Sequence, residues 1–171
     1  MQDKELITEA ANKAMSSSTF LQSLEKWKPF PVLYKIKKDG GKNAVGDFGE
    51  NLVCSYYNSL GIPSKIVKNG HDVLVGNRKK EVKTAFYGGN NFWFNQIYFE
   101  YPKTHPKAGS LKDWEDLTFV FVKPGRIEIW ECERPQIPEE LFKWNNGWMW
   151  QKAGPQKLDS SFWKHVVTLS L

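Results

Sequence analysis

Asp72, Glu81 and Lys83 are the residues whose types and spacing could do chemistry. Asp72 opens the apolar run HDVLVG, while Glu81 and Lys83 lie in KEVKTAFY with apolar Val82 between them. Successive side chains of a strand alternate in direction, so Glu81 and Lys83 share one face and Val82 takes the other. A turn around residues 76–78 brings Asp72 near Glu81 or Lys83 across the ladder, close enough for two carboxylates to share a divalent cation. Two hard oxygen ligands with open water positions suit magnesium. Such an ion polarises a phosphodiester oxygen and acidifies a bound water, and an adjacent ammonium orients that water or stabilises the pentacovalent transition state. The competing reading of the same residues is a solvated charged hairpin without chemistry, because Glu and Lys alternate on many exposed strands.

The elements that must position these side chains are short. GDFGENLVCSYYNSLGIP places Phe48, Leu52, Val53, Tyr56 and Leu60 on one helical face and ends in Gly61 and Pro63, which predicts a helix over 46–60. SKIVKN, HDVLVG and KEVKTAFY follow as strands, separated by Asn69-Gly70 and Gly76-Asn77, both hairpin-turn dipeptides. DLTFVFV and RIEIWECE flank Pro124-Gly125, a further hairpin signal. Residues 3–28 read as two short helices joined at the serines 16–18, and KPFPVLYKIKKDGGKN, with Pro29 and Pro31, as a short strand-like run leading into a basic, glycine-rich exposed loop. Gly40, Gly41 and Lys42 do not have P-loop spacing. The stretch 86–116 is aromatic and polar without clear periodicity, and the tail SFWKHVVTLSL is a last strand or helix.

The 171 residues, with eleven Phe, eight Trp and six Tyr, suffice for one domain with a sizeable core. Lys and Arg number 24 against 19 Asp and Glu, a net charge of +5 that favours a polyanionic partner. The N-terminal stretch MQDKELITEA lacks the apolar region of a signal peptide, and no apolar run approaches the ~20 residues of a membrane span, so a soluble, cytoplasmic protein is expected. Cys54 in the helix and Cys132 in a strand have no CxxC or Cys/His company, which predicts two buried free thiols and no structural metal.

A helix bearing Glu50, a strand, a strand headed by Asp72 and a strand carrying Glu81-Val82-Lys83 together resemble the PD-(D/E)xK nuclease superfamily over about residues 46–122. The resemblance implies the restriction endonuclease-like α/β fold, a mixed central sheet flanked by helices, with a second core helix before the next strand. It implies Asp72 and Glu81 as metal ligands, the Val82 carbonyl as a further ligand, Lys83 as the catalytic lysine and Glu50 as a glutamate acting through water. It also implies Mg2+ as the cofactor, and a 5′-phosphate and 3′-hydroxyl as the ends produced. His71 stands where the family's motif has proline. Glu50 alone is equally a helix acid favoured by the macrodipole.

Lys65, Lys68, Arg78, Lys79 and Lys80 surround the two acids and form a candidate phosphate-backbone track. Lys35, Lys37, Lys38 and Lys42 form a second candidate basic arm. Asn90, Asn91, Asn95 and Gln96, interleaved with Phe92, Trp93 and Phe94, carry amides able to read adenine edges, although the aromatics there fit a core and the amides fit turn caps equally well. His105 reads as an exposed loop residue. Trp144, Trp148 and Trp150 make a patch that fits a small satellite core, a dimer interface or a stacking surface. Glu128, Glu131, Glu133, Glu139 and Glu140 form an acidic face unsuited to DNA.

These readings converge on a magnesium-dependent endonuclease that cleaves double-stranded DNA, with sequence-specific cleavage of the restriction or homing type favoured by the amide-rich segment. Cutting both strands with one site per chain calls for a homodimer or higher even oligomer. A junction resolvase that reads DNA shape is one alternative. A noncatalytic nucleic-acid-binding module with structural acids is another.

Overall fold

Two tight turns set the register of the central sheet in the computed structural model, which describes residues 24–67, 70–88, 91–95, 97–101, 103–137, 143–144, 147–148 and 150–171. Gly76 (φ 55°) and Asn77 make a two-residue loop between β2 (Val73–Val75) and β3 (Arg78–Phe86), pairing Val75 with Arg78. Pro124 and Gly125 (φ 87°) do the same between β5 (Asp116–Lys123) and β6 (Arg126–Glu133), pairing Lys123 with Arg126. Both glycines have the positive φ that tight hairpin loops demand. β1 (Ser64–Ile66) precedes this set, and the C-terminal segment forms β10 (Lys164–Ser170). The six strands stand in the order β1-β2-β3-β5-β6-β10, antiparallel except for the parallel β3–β5 pair, so the sheet is mixed.

Alternation sorts the core into two layers. Along β5, Val120 and Val122 face the helices while Phe119 and Phe121 face the other side. On the helix side these valines, with Val73, Val75 and Val82, pack against Trp27, Leu33 and Val53. Complete burial of a side chain such as Val53 stabilises by roughly 1.5–3 kcal/mol. The opposite face is aromatic: Phe94 stacks on Phe119 with ring centroids 4.1 Å apart, and Trp163 stacks on Phe119 at 4.6 Å.

Helices therefore cover one face only, among the described residues, rather than flanking the sheet on both. The second face is closed by β4 (Phe92–Phe94), paired antiparallel with β9 (Trp150–Lys152), and by Ile97, Phe99 and Trp114. The β3–β5 crossover contains no helix among its described residues. Its apolar side chains are buried at period two, Phe92 and Phe94, then Ile97 and Phe99, which suits extended chain laid across a sheet. Among the described residues, β7 (Lys143–Trp144) and β8 (Gly147–Trp148) pair only with each other.

The segment after Trp27 also departs from expectation. Pro31 does not break structure but sits in the first turn of α1 (Pro31–Asp39), where its fixed φ and missing N–H cost nothing. Leu33 is buried, and Tyr34 and Ile36 pack on the helix-side core, so 31–39 is an amphipathic helix and not a strand and loop. Gly40 and Gly41 (φ 63°) turn the chain into α2 (Gly41–Ser59), five residues longer at its start than the periodicity predicted. Cys54 is half-buried and Cys132 buried. The tail, read as strand or helix, is a strand antiparallel to β6. Of the two helices expected over 3–28, residues 3–23 lie outside the described residues. No helix among the described residues is long and apolar enough to cross a membrane.

Candidate active site

β2 pairs with β3 only as far as Lys80, so residues 81–86 of β3 have one ladder, to β5, and an edge without a strand partner among the described residues. Asp72 lies where β2 gives out. Its N–H donates to the Lys80 carbonyl at 2.9 Å, and its Oδ2 accepts the Val82 N–H at 2.8 Å. The carboxylate thus caps a backbone donor that the ladder leaves unpaired. Because the N–H and C=O of one strand residue point to the same edge, the Val82 carbonyl opens on that side as well.

α2 is pressed against this half of β3 at a glycine. A Cβ on Gly49 would fall on Thr84 Oγ1 and lie 2.9 Å from Thr84 Cβ, so only glycine allows the approach. Glu50 is the next residue. A cleft of ≈ 580 Å³ opens between the α1–α2 corner, β3 and β4, and its walls include Glu50, Asp72, Val82 and Lys83. Lys37, Lys42, Asn91, Trp93 and Asn95 line it too.

Glu81 sits beneath this cleft and not in its wall, 1% exposed. Lys83 Nζ lies 2.8 Å from its Oε1. Lys112, a residue that sequence reasoning did not single out, donates to both carboxylate oxygens at 2.7 and 2.8 Å. It comes from the crossover, held by its own N–H to the Phe99 carbonyl at 2.8 Å, and Arg134 Nη1 donates to its carbonyl. No periodicity in 86–116 connects residue 112 to residue 81, so the pairing had no sequence signal.

Charges in the site oppose one another across short distances. Burial, and then the neighbouring Glu81 charge, push the Asp72 carboxyl above its ordinary range, against the pull of Lys83, the Val82 N–H and Lys112. For Lys83 burial alone would lower the ammonium, but Glu81, Asp72 and Glu50 outweigh it and raise the pKa. Lys83 is therefore charged at neutral pH, a hydrogen-bond donor and not a base. Three carboxylates, Glu50, Asp72 and Glu81, thus meet the Lys83 and Lys112 ammonium groups at the site, with Lys37 and Lys42 in the cleft walls. No group of three or more His, Cys, Asp or Glu side chains that could hold a metal ion occurs among the described residues. Two carboxylates, a backbone carbonyl and water are nonetheless the usual environment of magnesium, and the mutual repulsion of Asp72 and Glu81 is what such an ion relieves.

The basic residues divide. Lys37 and Lys42 of the second arm line the cleft, with Lys37 Nζ 5.8 Å from the Trp27 ring and its pKa lowered by burial. Lys65 is exposed on edge strand β1 and does not line the cleft. Lys79 pairs with Asp113 at 3.1 Å, and Arg78 Nε donates to Asp116 at 3.0 Å. Lys80 is 4% exposed on the helix side, held by Asp116 at 3.1 Å and Glu131 at 2.8 Å, so the expected phosphate track does not include it. Glu131 serves that internal network and Glu128 is buried, so the acidic stretch is only partly a surface. Lys68, Asn90, Gln96, Glu139 and Glu140 lie outside the described residues. Of the Trp-rich patch, Trp150 is buried in the aromatic core. His71 is buried, its Nδ1 3.4 Å from Asp113.

In comparisons with known proteins, no family model matches the chain, and no curated protein and no solved structure matches it.

Proposed function

We propose that the protein is a magnesium-dependent endodeoxyribonuclease of the PD-(D/E)xK type, hydrolysing phosphodiester bonds of double-stranded DNA as a homodimer or higher even oligomer. One observation carries the reading: Glu50, Asp72 and Lys83, brought from a helix, a strand end and a strand, line one cleft with Glu81 directly beneath Lys83. Asp72, Glu81 and the Val82 carbonyl would hold the cation, which supplies Lewis-acid stabilisation of phosphoryl charge and a more acidic water. The Lys83 ammonium, kept charged by its carboxylate neighbours, orients the attacking water or stabilises charge on the phosphoryl oxygens. Glu50 lines the same cleft and would act on the cation through water. Lys37 and Lys42 supply positive charge for the strand's phosphates. Asn91 and Asn95 line the cleft and offer amides for base edges, as sequence-specific cleavage requires.

A noncatalytic nucleic-acid-binding module is the second reading, favoured by Glu81, whose two oxygens already hold Lys112. Incubating wild type and Asp72→Ala with plasmid and with branched DNA, in magnesium and in EDTA, separates them. The nuclease reading expects discrete plasmid fragments from wild type with magnesium alone. Cleavage confined to branched DNA points to a resolvase, and intact DNA that is shifted equally in every lane points to a binder.

A further inference from the structure

The exposed face of β4 is built unlike the rest of the aromatic layer. Phe92 and Phe94 are buried, Phe94 stacked on Phe119 and Phe92 edge-on to Phe121 at 4.9 Å, and this fixes the register of the strand. Alternation then turns Asn91, Trp93 and Asn95 together to the other side, where all three are exposed. Trp27, Trp114, Trp150 and Trp163 are all buried, whereas Trp93 is 57% exposed, the one aromatic among the large exposed apolar side chains of the described residues. Pairing with β9 from Phe92 to Phe94 keeps the strand from bending to bury it. The three residues line the same cleft as Asp72 and Lys83, with Lys37 and Lys42 also in its walls.

We infer that this face is a nucleobase-binding site, on which Trp93 stacks an unpaired base of the bound strand while Asn91 and Asn95 hydrogen-bond its polar edge. An indole face offers stacking to any base, flanking amides offer both donors and acceptors, and lysines in the walls suit the phosphates on either side. In an intact duplex each base is already stacked on both faces, so a side chain reaches a π-face only where the base is unpaired or flipped out. The substrate class that fits is therefore single-stranded DNA or a junction, fork or loop carrying unpaired bases next to the bond presented to Asp72 and Lys83. The inference narrows the substrate of the nuclease reading from plain duplex to DNA that carries unpaired bases beside the cut, and it rests on that reading for the proximity of a scissile phosphate.

Binding is measured apart from cleavage, with a fluorescently labelled oligodeoxynucleotide, single-stranded or annealed to its complement, in EDTA. Wild type, Trp93→Ala and Trp93→Phe are compared by anisotropy. Trp93 is exposed, so neither variant disturbs the core, and circular dichroism verifies the fold. Trp93→Ala is expected to weaken single-strand binding about tenfold and duplex binding less than about twofold, with Trp93→Phe restoring most of the difference. Equal weakening on both DNAs, no weakening, or no binding by wild type overturns the base site. Trp93-dependent single-strand binding without cleavage in magnesium leaves the base site standing and removes the nuclease. Magnesium-dependent cleavage without any Trp93 effect does the reverse.

Discussion

Lys112 and Glu81, 31 residues apart in the chain, meet with the lysine ammonium donating to both carboxylate oxygens at 2.7 and 2.8 Å. Glu81 is 1% exposed, so these bonds replace the water it would otherwise hold. Removing one partner of a buried ion pair costs ~3–5 kcal/mol when the other is left alone, but Lys83 still faces Glu81 at 2.8 Å. Lys112→Met is therefore expected to destabilise the fold by about 2 kcal/mol. Adding Glu81→Gln should recover much of that, because the uncompensated charge is gone. Urea denaturation of the two single variants and the double variant measures the coupling, and additive losses would show that Lys112 does not serve Glu81.

Lys83 is the cation that the site holds between its carboxylates and the cleft. Lys83→Ala is expected to lower magnesium-dependent cleavage by ~100-fold or more while leaving DNA affinity, measured in calcium, within about threefold. A variant that cuts at the wild-type rate would remove Lys83 from the reaction. One that loses binding in proportion to cleavage would make it a phosphate anchor instead.

What was legible before the structure follows from local chemistry. Gly76-Asn77 closes a two-residue loop, the loop sets the register, and the register puts Asp72 beside Glu81 and Val82. Pro31 misled because proline marks both a break and a first helical turn, and only the burial of Leu33 on one face decides between them. The run Arg78-Lys79-Lys80 read as one basic track because its neutralising partners, Asp113, Asp116 and Glu131, come from the crossover, from β5 and from β6. Lys112 was invisible for the same reason. Pairings across a parallel crossover leave no mark on the local sequence.

Gly49 sets how closely α2 approaches β3, and Glu50 travels with it. Gly49→Ala would drive its methyl into Thr84, and the helix must move away because the obstacle is a β-branched side chain anchored on a strand. Overpacking of this kind costs ~1–3 kcal/mol. Activity is expected to fall more than stability alone explains, since Glu50 and the cleft wall move with the helix. Thr84→Ala in the same chain removes Oγ1 and Cγ2 and should restore part of both losses. Thermal melting and cleavage rates of the single and double variants test this, and an unrescued Gly49→Ala would place the constraint elsewhere.

Acid stability should report Asp116, which does not line the proposed cleft. Burial alone would push its carboxyl up, but the Arg78 guanidinium and the Lys80 ammonium hold it below its ordinary value of 3.8. As pH falls the unfolded chain takes up this proton first, so the contribution is complete above that value and is lost as pH drops through the lower folded one. Asp116→Asn keeps the shape and removes the charge. Lys80 retains Glu131 at 2.8 Å and Arg78 is half-exposed, so the expected loss at pH 7 is about 2 kcal/mol rather than that of a stranded buried charge. The stability gap between wild type and variant should then narrow when urea midpoints are compared at neutral pH and below about pH 4. A gap that stays constant down to acid pH would mean that the Asp116 charge contributes nothing and that the loss comes from packing.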